Sequence, residues 1–221
     1  MKNIVIFGCQ QIAVDVIQHI LNKKKYNISL VVTYELEMDK VYKYKSVKSI
    51  CEKNNIEFIS SKELDDNLIN KIKKISPHVI LSIYYRKILP KRIFDIPICG
   101  SYNIHPGKLP YYRGPIPTMW AIQNGEKEFG VTLHKIDSGI DTGDIVDQKV
   151  YPIKSNDTGY IVYARAMKFG AQIIIKNLER IINKTIKLKK QKGKGSYYGK
   201  YSGDDFINWR NKAKDINNFI N

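Results

Sequence analysis

Apolar residues recur along the chain in short runs separated by stretches of helical spacing. Asn3–Phe7 is an apolar run closed by Gly8. Ile12, Val16, Ile17, Ile20 and Leu21 then predict one helical face over Gln10–Leu21. Ile28–Val32 reads as a second strand and Val47–Cys51 lies in a helical segment. Ile56–Ile59 is strand-like, and Leu64–Ile75 is helical. Val79–Ile83 is apolar apart from one serine, the pattern of a central parallel strand buried on both faces. Strand alternating with helix predicts an α/β fold, a Rossmann-like, mostly parallel, doubly wound sheet. Ligands of such sheets bind beyond the carboxyl ends of the strands.

Further on, Gly100–His105 has strand character and a helix is expected from Trp120. Asp144–Val150 reads as strand. A long helix runs from Asp157-Thr158-Gly159 to about Ile182, with Asp157 as its expected N-cap. The composition changes at Asn183, where the chain becomes basic, glycine-dotted and tyrosine-rich, in the manner of short strands or an ordered loop. Asp204–Asn221 is expected to form a last amphipathic helix carrying Phe206, Ile207, Trp209, Ile216, Phe219 and Ile220.

Composition adds bounds. The 221 residues are 43% hydrophobic and carry a formal net charge of +16. An anionic partner would account for that charge. So would a compositional bias toward lysine, asparagine and isoleucine, which is the weightier of the two. No apolar run reaches membrane-span length, and MKNIVIFGCQQ reads as a buried strand rather than a secretion signal. Cys9, Cys51 and Cys99 are scattered without a CxxC, so neither a disulfide frame nor a metal site is expected, and a cytoplasmic setting is. The Gly8-Cys9-Gln10-Gln11 turn opens a helix. It is a plain strand-to-helix turn or an anion contact, with Gln10 the residue to watch. GCQQIA does not have the GxGxxG spacing of a dinucleotide fold.

The chemistry concentrates in Ser101–Ile145. Asn103 and His105 stand two apart at the end of a strand, so both project to one face. Pro106 then stops the ladder. The amide donates without titrating, and the imidazole donates or exchanges a proton near neutral pH. Asp141 lies among the glycines of DSGIDTGD, in a tight loop able to bring a carboxylate to the histidine and raise its pKa. No serine or cysteine sits in a nucleophile elbow, so direct attack by a substrate amine fits better than a covalent enzyme intermediate. Each part has a plainer reading. Asn-x-His is commonly a structural pair, and the acidic loop alone could be a calcium-like loop or a set of turns.

Taken together, SIYYRKIL, NIHPGKLPYYRG, WAIQNGE, GVTLHKIDSGIDTGDI and, more weakly, GDDFINW resemble the folate-dependent formyltransferase family. The resemblance covers roughly the last two-thirds of the chain. It implies 10-formyltetrahydrofolate as donor, a primary amine as acceptor, no metal, and Asn103, His105 and Asp141 as the catalytic set. It puts the pterin between Ser82–Leu89 and Asp137–Asp141, with Tyr84, Tyr85, Arg86, Ile88, Leu89, Asp137, Gly139 and Ile140 as donor contacts. It implies a catalytic domain over residues 1–182 and an extension over 183–221 for acceptor binding or dimer contact.

Gln10, Arg113, Gly114, Trp120 and Tyr201 are the acceptor-side candidates. Arg113 could equally brace a loop, and Trp120 and the Tyr197, Tyr198, Tyr201 cluster could simply pack. His134 is expected to be structural. About forty residues follow the long helix, against a full barrel domain in methionyl-tRNA formyltransferases. The first loop lacks the glycine- and serine-rich pattern of the phosphoribosylglycinamide enzymes. The resemblance therefore favours a nucleotide-linked amino sugar, first a dTDP-4-amino-4,6-dideoxyhexose and second a UDP sugar, destined for lipopolysaccharide (O-antigen) or other surface glycans. Methionyl-tRNA and the purine precursor are the alternative acceptors. A catalytically dead, basic RNA-binding module is the alternative of another class; the enzyme reading expects a homodimer, no nucleic-acid partner and no membrane span.

Overall fold

The computed structural model describes residues 1–34, 45–60, 63–201 and 206–220. Gly203, Asp204 and Asp205 of the GDDFINW motif, and Asn221, lie outside the described residues.

The chain begins with β1 (Lys2–Gly8), α1 (Gln10–Lys23), β2 (Tyr26–Thr33), α2 (Val47–Lys53), β3 (Phe58–Ser60) and α3 (Asp66–Ile75). It continues with β4 (Val79–Ile83), α4 (Lys91–Phe94), β5 (Ser101–His105) and α5 (Pro117–Gln123). It closes with β6 (Glu128–Lys135), β7 (Ile145–Pro152), α6 (Gly159–Ile182) and α7 (Ala213–Ile220). The strands form one seven-stranded sheet in the order β3-β2-β1-β4-β5-β6-β7. The pairs from β3 to β5 are parallel, and β6 and β7 are antiparallel. This is the mostly parallel α/β sheet expected from the alternation of runs. The strand order reverses between β1 and β4, which creates the crevice that α/β sheets use for ligands.

Strand alternation sorts the core into two faces. Ile4 and Ile6 of β1 join Val79, Leu81 and Ile83 of β4 against α1 and α6. Val5 and Phe7 join Leu30, Val32 and Ile80 against α3 and α4. The first cluster extends through Tyr102 and Ile104 of β5 to Val131 and Leu133 of β6. The second contains no residue of β5 or β6. The side chains on that face of β5 and β6 are therefore available for something other than packing.

Local signals account for the ends of the elements. Asp65 caps α3 by accepting from Leu68 N–H, and Ser46 caps α2 by accepting from Ser49 N–H. Helix α6 is capped by Thr158, whose side chain accepts from Ile161 N–H. The expected cap, Asp157, is instead held by both guanidinium nitrogens of Arg165 and by Lys154 N–H. The carboxylate gains more from a buried bidentate pair than from one N–H. The last helix is shorter than expected and begins at Ala213. Phe206 and Trp209 are exposed rather than placed on its face. Residues 187–199 form an ordered loop with two isolated bridges, Ile145 to Lys189 and Arg113 to Tyr197, rather than strands.

Helix α6 crosses the sheet at Gly170. A Cβ there would lie 2.9 Å from Ile12 Cδ1 and 3.1 Å from Ile104 Cγ1. Gly170→Val should overpack this contact and destabilise the chain by about 1–3 kcal/mol. Urea unfolding should show a lower midpoint with an unchanged slope; an unchanged midpoint would contradict this account of the packing.

Candidate active site

Tyr102 and Ile104 of β5 point into the core, so period two turns Asn103 and His105 to the opposite face. The antiparallel register sets His134 directly across from Asn103 and Thr132 across from His105. The DSGIDTGD loop then delivers Asp141 to the same spot. Asn103 Nδ2 lies 3.3 Å from Asp141 Oδ1 and 3.2 Å from His134 Nε2. His105 Nδ1 is 3.4 Å from Asp141 Oδ2, and His134 Nε2 is 3.3 Å from Asp141 Oδ1. The three expected residues are thus brought together. His134, expected to be structural, joins them. Only the register of β5 on β6 reveals it, and one strand's sequence does not encode that register.

The loops complete the site through backbone groups. Gly114 N–H donates to Asp141 Oδ2 at 3.0 Å, and the Tyr112 carbonyl accepts from His105 Nε2 at 2.7 Å. Gly114 has φ +95°, and a Cβ there would lie 2.2 Å from the Tyr198 carbonyl oxygen. No larger residue can present that N–H to Asp141. Thr132 Oγ1 donates to Gly107 O at 2.6 Å and accepts from Leu109 N–H and Gln148 Nε2, which ties the turn after β5 to the sheet.

The carbonyl of Tyr112 can only accept, so it claims the Nε2 proton of a neutral His105. Nδ1 then presents its lone pair beside Asp141. Burial pushes His105 below its ordinary value, outweighing the pull of Asp141 and of the Tyr112 carbonyl. The sequence reading expected Asp141 to raise it; desolvation of a ring that is 4% exposed reverses the sign. Burial opposes ionisation of Asp141 too, but His105, His134 and Gly114 N–H together hold its carboxyl well below the usual range. Burial thus favours the neutral ring of His105 beside an ionised Asp141. His134 donates through Nδ1 to the Lys135 carbonyl at 2.9 Å. In its neutral form it is left with Nε2 as an acceptor for the Asn103 amide.

Asn103, His105, His134 and Asp141 line one cavity of about 1280 Å³. Every expected donor contact lines it as well: Tyr84, Tyr85, Arg86, Ile88, Leu89, Asp137, Gly139 and Ile140. Ile88 and Ile140 are exposed apolar residues, suited to cover a flat ring system. Asp137 is already engaged: its Oδ1 accepts from Gly139 N–H and from Thr142 Oγ1, bracing the loop. Of the expected acceptor contacts, Gln10, Gly114 and Tyr201 line the cavity, and Gln10 Oε1 accepts from Tyr163 OH.

Arg113 and Trp120 are not among the lining residues. The Arg113 guanidinium donates to Gln191 Oε1 at 2.7 and 3.2 Å, the bracing alternative. Trp120 packs on Tyr198 and Tyr201, and its Nε1 donates to the Gly199 carbonyl. Gln191 was not foreseen, since a lone glutamine in a lysine-rich stretch carries no signal. Its Nε2 donates to the carbonyls of Asp141 and Gly143, both at 2.8 Å. Among the described residues no group of His, Cys, Asp and Glu side chains could hold a metal ion, and no helix is long and apolar enough to cross a membrane.

This fold is shared with solved N-formyltransferases. The chain belongs to the formyl transferase family, whose profile matches residues 1–178. The N-formyltransferase of Helicobacter canadensis, solved with folinic acid and dTDP-3-aminofucose, is 30% identical with a TM-score of 0.82. The comparison covers 100% of this chain and 80% of that one. WlaRD, a sugar 3N-formyl transferase solved with dTDP and 5-N-formyl-THF, is also 30% identical, with a TM-score of 0.81 over 100% of this chain and 78% of its own. By sequence, the methionyl-tRNA formyltransferase of Thermodesulfovibrio yellowstonii is 40% identical over 71% of this chain. That of Clostridium tetani is 32% identical over 100% of it. This chain spans about half the length of the first (51%) and 73% of the second.

Both depressed pKa values carry the same sign for stability. His105 is more easily protonated unfolded than folded, so its contribution is full above about pH 6.5 and is lost as pH falls through its lowered folded value. Asp141 contributes above its unfolded value and loses that contribution at still lower pH. His78, lowered chiefly by burial, acts in the same direction. Thermal midpoints should fall between pH 7 and pH 5, and His105→Asn should flatten that slope. A slope unchanged in the variant would contradict a buried neutral His105.

Proposed function

We propose that this protein transfers a formyl group from 10-formyltetrahydrofolate to the amine of a nucleotide-linked amino sugar, with Asn103, His105 and Asp141 as its catalytic residues. The donor supplies the electrophilic formyl carbon. The Asn103 amide turns one N–H from His134 Nε2 to the oxygen that gains charge as the amine attacks, and such a donor is worth several kcal/mol of barrier. His105 Nδ1 takes the proton that the amine loses, giving a ring whose two N–H groups face the Tyr112 carbonyl and the Asp141 carboxylate. The same proton then goes to the departing folate nitrogen, which restores the neutral ring. Asp141 stays ionised and balances the transient positive charge.

The observation that carries the reading is the single cavity on which this cluster opens. It joins the apolar donor-side segment to Gln10, Tyr160, Tyr163, Tyr197, Lys200 and Tyr201. At about 1280 Å³ it exceeds the usual volume for one small ligand, roughly 300–1,000 Å³. That size suits two co-substrates. The two solved relatives at 30% identity over this whole chain were crystallised with dTDP or a dTDP-sugar and a formyl-folate. Their 3-amino acceptors put a dTDP-3-amino sugar beside the 4-amino-4,6-dideoxyhexose favoured by the sequence. A surface glycan is the destination that such a sugar would have, and a homodimer the assembly.

A second reading has its own support. Methionyl-tRNA formyltransferases up to 40% identical stand among the sequence relatives, beside a bifunctional polymyxin resistance protein ArnA at 37%, and the net charge of +16 suits RNA. Purified protein with 10-formyltetrahydrofolate should be offered dTDP-3-amino, dTDP-4-amino and UDP-amino sugars, and methionyl-tRNA, with formation of the formamide followed. Turnover of a nucleotide sugar is expected, and Asn103→Ala should lower kcat by about 100-fold or more. Turnover of methionyl-tRNA alone would replace the acceptor assignment. Full activity of Asn103→Ala would remove the role given to the amide.

A further inference from the structure

Asp141 has φ +54°, in the left-handed region that a side chain disfavours. A carboxylate held there needs its backbone secured from outside the loop. Gln191 makes the contacts that do so. Its Nε2 donates to the Asp141 and Gly143 carbonyls, and its Oε1 accepts two N–H groups of Arg113. All four hydrogen-bonding positions of the amide are used. The reverse orientation would set oxygen against two carbonyls and NH2 against a guanidinium, so only one orientation is allowed.

Arg113 stands between the two residues whose backbone completes the site. Tyr112 accepts from His105, and Gly114 donates to Asp141. Gln191 thus ties the loop bearing the carboxylate to the loop that orients the imidazole. Its own segment is fixed on both sides. Lys189 and Ile145 exchange two backbone hydrogen bonds, Ser196 accepts from Arg113 N–H, and Tyr198 donates to the Arg113 carbonyl.

We propose that Gln191 is a positioning residue for formyl transfer, clamping Asp141 and, through Arg113, the Tyr112–Gly114 turn into register with Asn103 and His105. This rests on the reaction proposed above. A displacement of about 1 Å of a reacting group can cost on the order of 100-fold in rate. Gln191 lies outside the lining of the cavity, so substrate affinity should not depend on it.

The test uses Gln191→Met and Gln191→Glu, which keep the length and remove both N–H donors, and Arg113→Met, which keeps the donors but frees the amide to rotate. For both Gln191 variants kcat should fall roughly ten- to 100-fold with KM for donor and acceptor within about twofold of the parent, and Arg113→Met should fall less. Nitrogen-15 NMR titration of His105 in the ligand-free protein supplies a readout that needs no substrate. In Gln191→Met its midpoint should rise toward the ordinary imidazole value, because a released loop admits water to the ring. Should the parent turn over no nucleotide sugar, the acceptor assignment fails while the NMR shift still decides the clamp. An unchanged kcat, a loss confined to KM, or an unmoved His105 titration would overturn the proposal. If Gln191→Met does not fold, the same readouts in Arg113→Met decide it.

Discussion

A carboxylate that is 13% exposed and flanked by two imidazoles is the constraint around which this structure is arranged. Burying a charge costs several kcal/mol unless hydrogen bonds replace its water. Here the N–H donors are the Asn103 amide on β5 and the backbone of the loop at Gly114, while the imidazoles of His105 on β5 and His134 on β6 flank the carboxylate. Each of these has to be aimed. Strand alternation aims the side chains of β5 and β6, and a positive-φ glycine aims the N–H. The core supports this by ending its second hydrophobic layer at β4, which leaves one face of β5 and β6 for polar groups.

The same burial sets the chemistry. A solvated histidine beside an aspartate would be expected to hold its proton more tightly. In this cavity desolvation outweighs the carboxylate and lowers the histidine's affinity for its proton. Such a pair is suited to receive a proton from an attacking amine and return it to a leaving nitrogen. Part of the cavity extends beyond this pair. In this chain that part is furnished by Gln10, by Tyr160 and Tyr163 of α6, and by Tyr197, Lys200 and Tyr201 beyond it.

The sheet was legible in the sequence because its central strands are buried on both faces and its helices carry broad apolar stripes. Asn103, His105 and Asp141 were legible because turn residues and a broken strand frame them. His134 was not, since its place depends on which β6 residue pairs with Asn103. Gln191 was not, since hydrogen bonds to two carbonyls leave no pattern in a lysine-rich stretch. The cap of α6 moved by one residue because Arg165, eight positions on, competes for Asp157. Arg113 takes the bracing alternative because Gln191, far along the chain, offers its guanidinium a partner. These differences have one cause: contacts between distant segments decide among local options that the sequence leaves equal.

The account is tested most directly by a crystal structure of the protein with 5-formyltetrahydrofolate and dTDP bound together. It predicts the pterin against Tyr85–Leu89 and Asp137–Ile140, the formyl oxygen within hydrogen-bonding reach of Asn103 Nδ2, and dTDP among Gln10, Tyr160, Tyr163 and Tyr201. The sugar-bearing phosphate would lead toward His105. A formyl group bound away from Asn103 and His105, or dTDP outside this cavity, would contradict it.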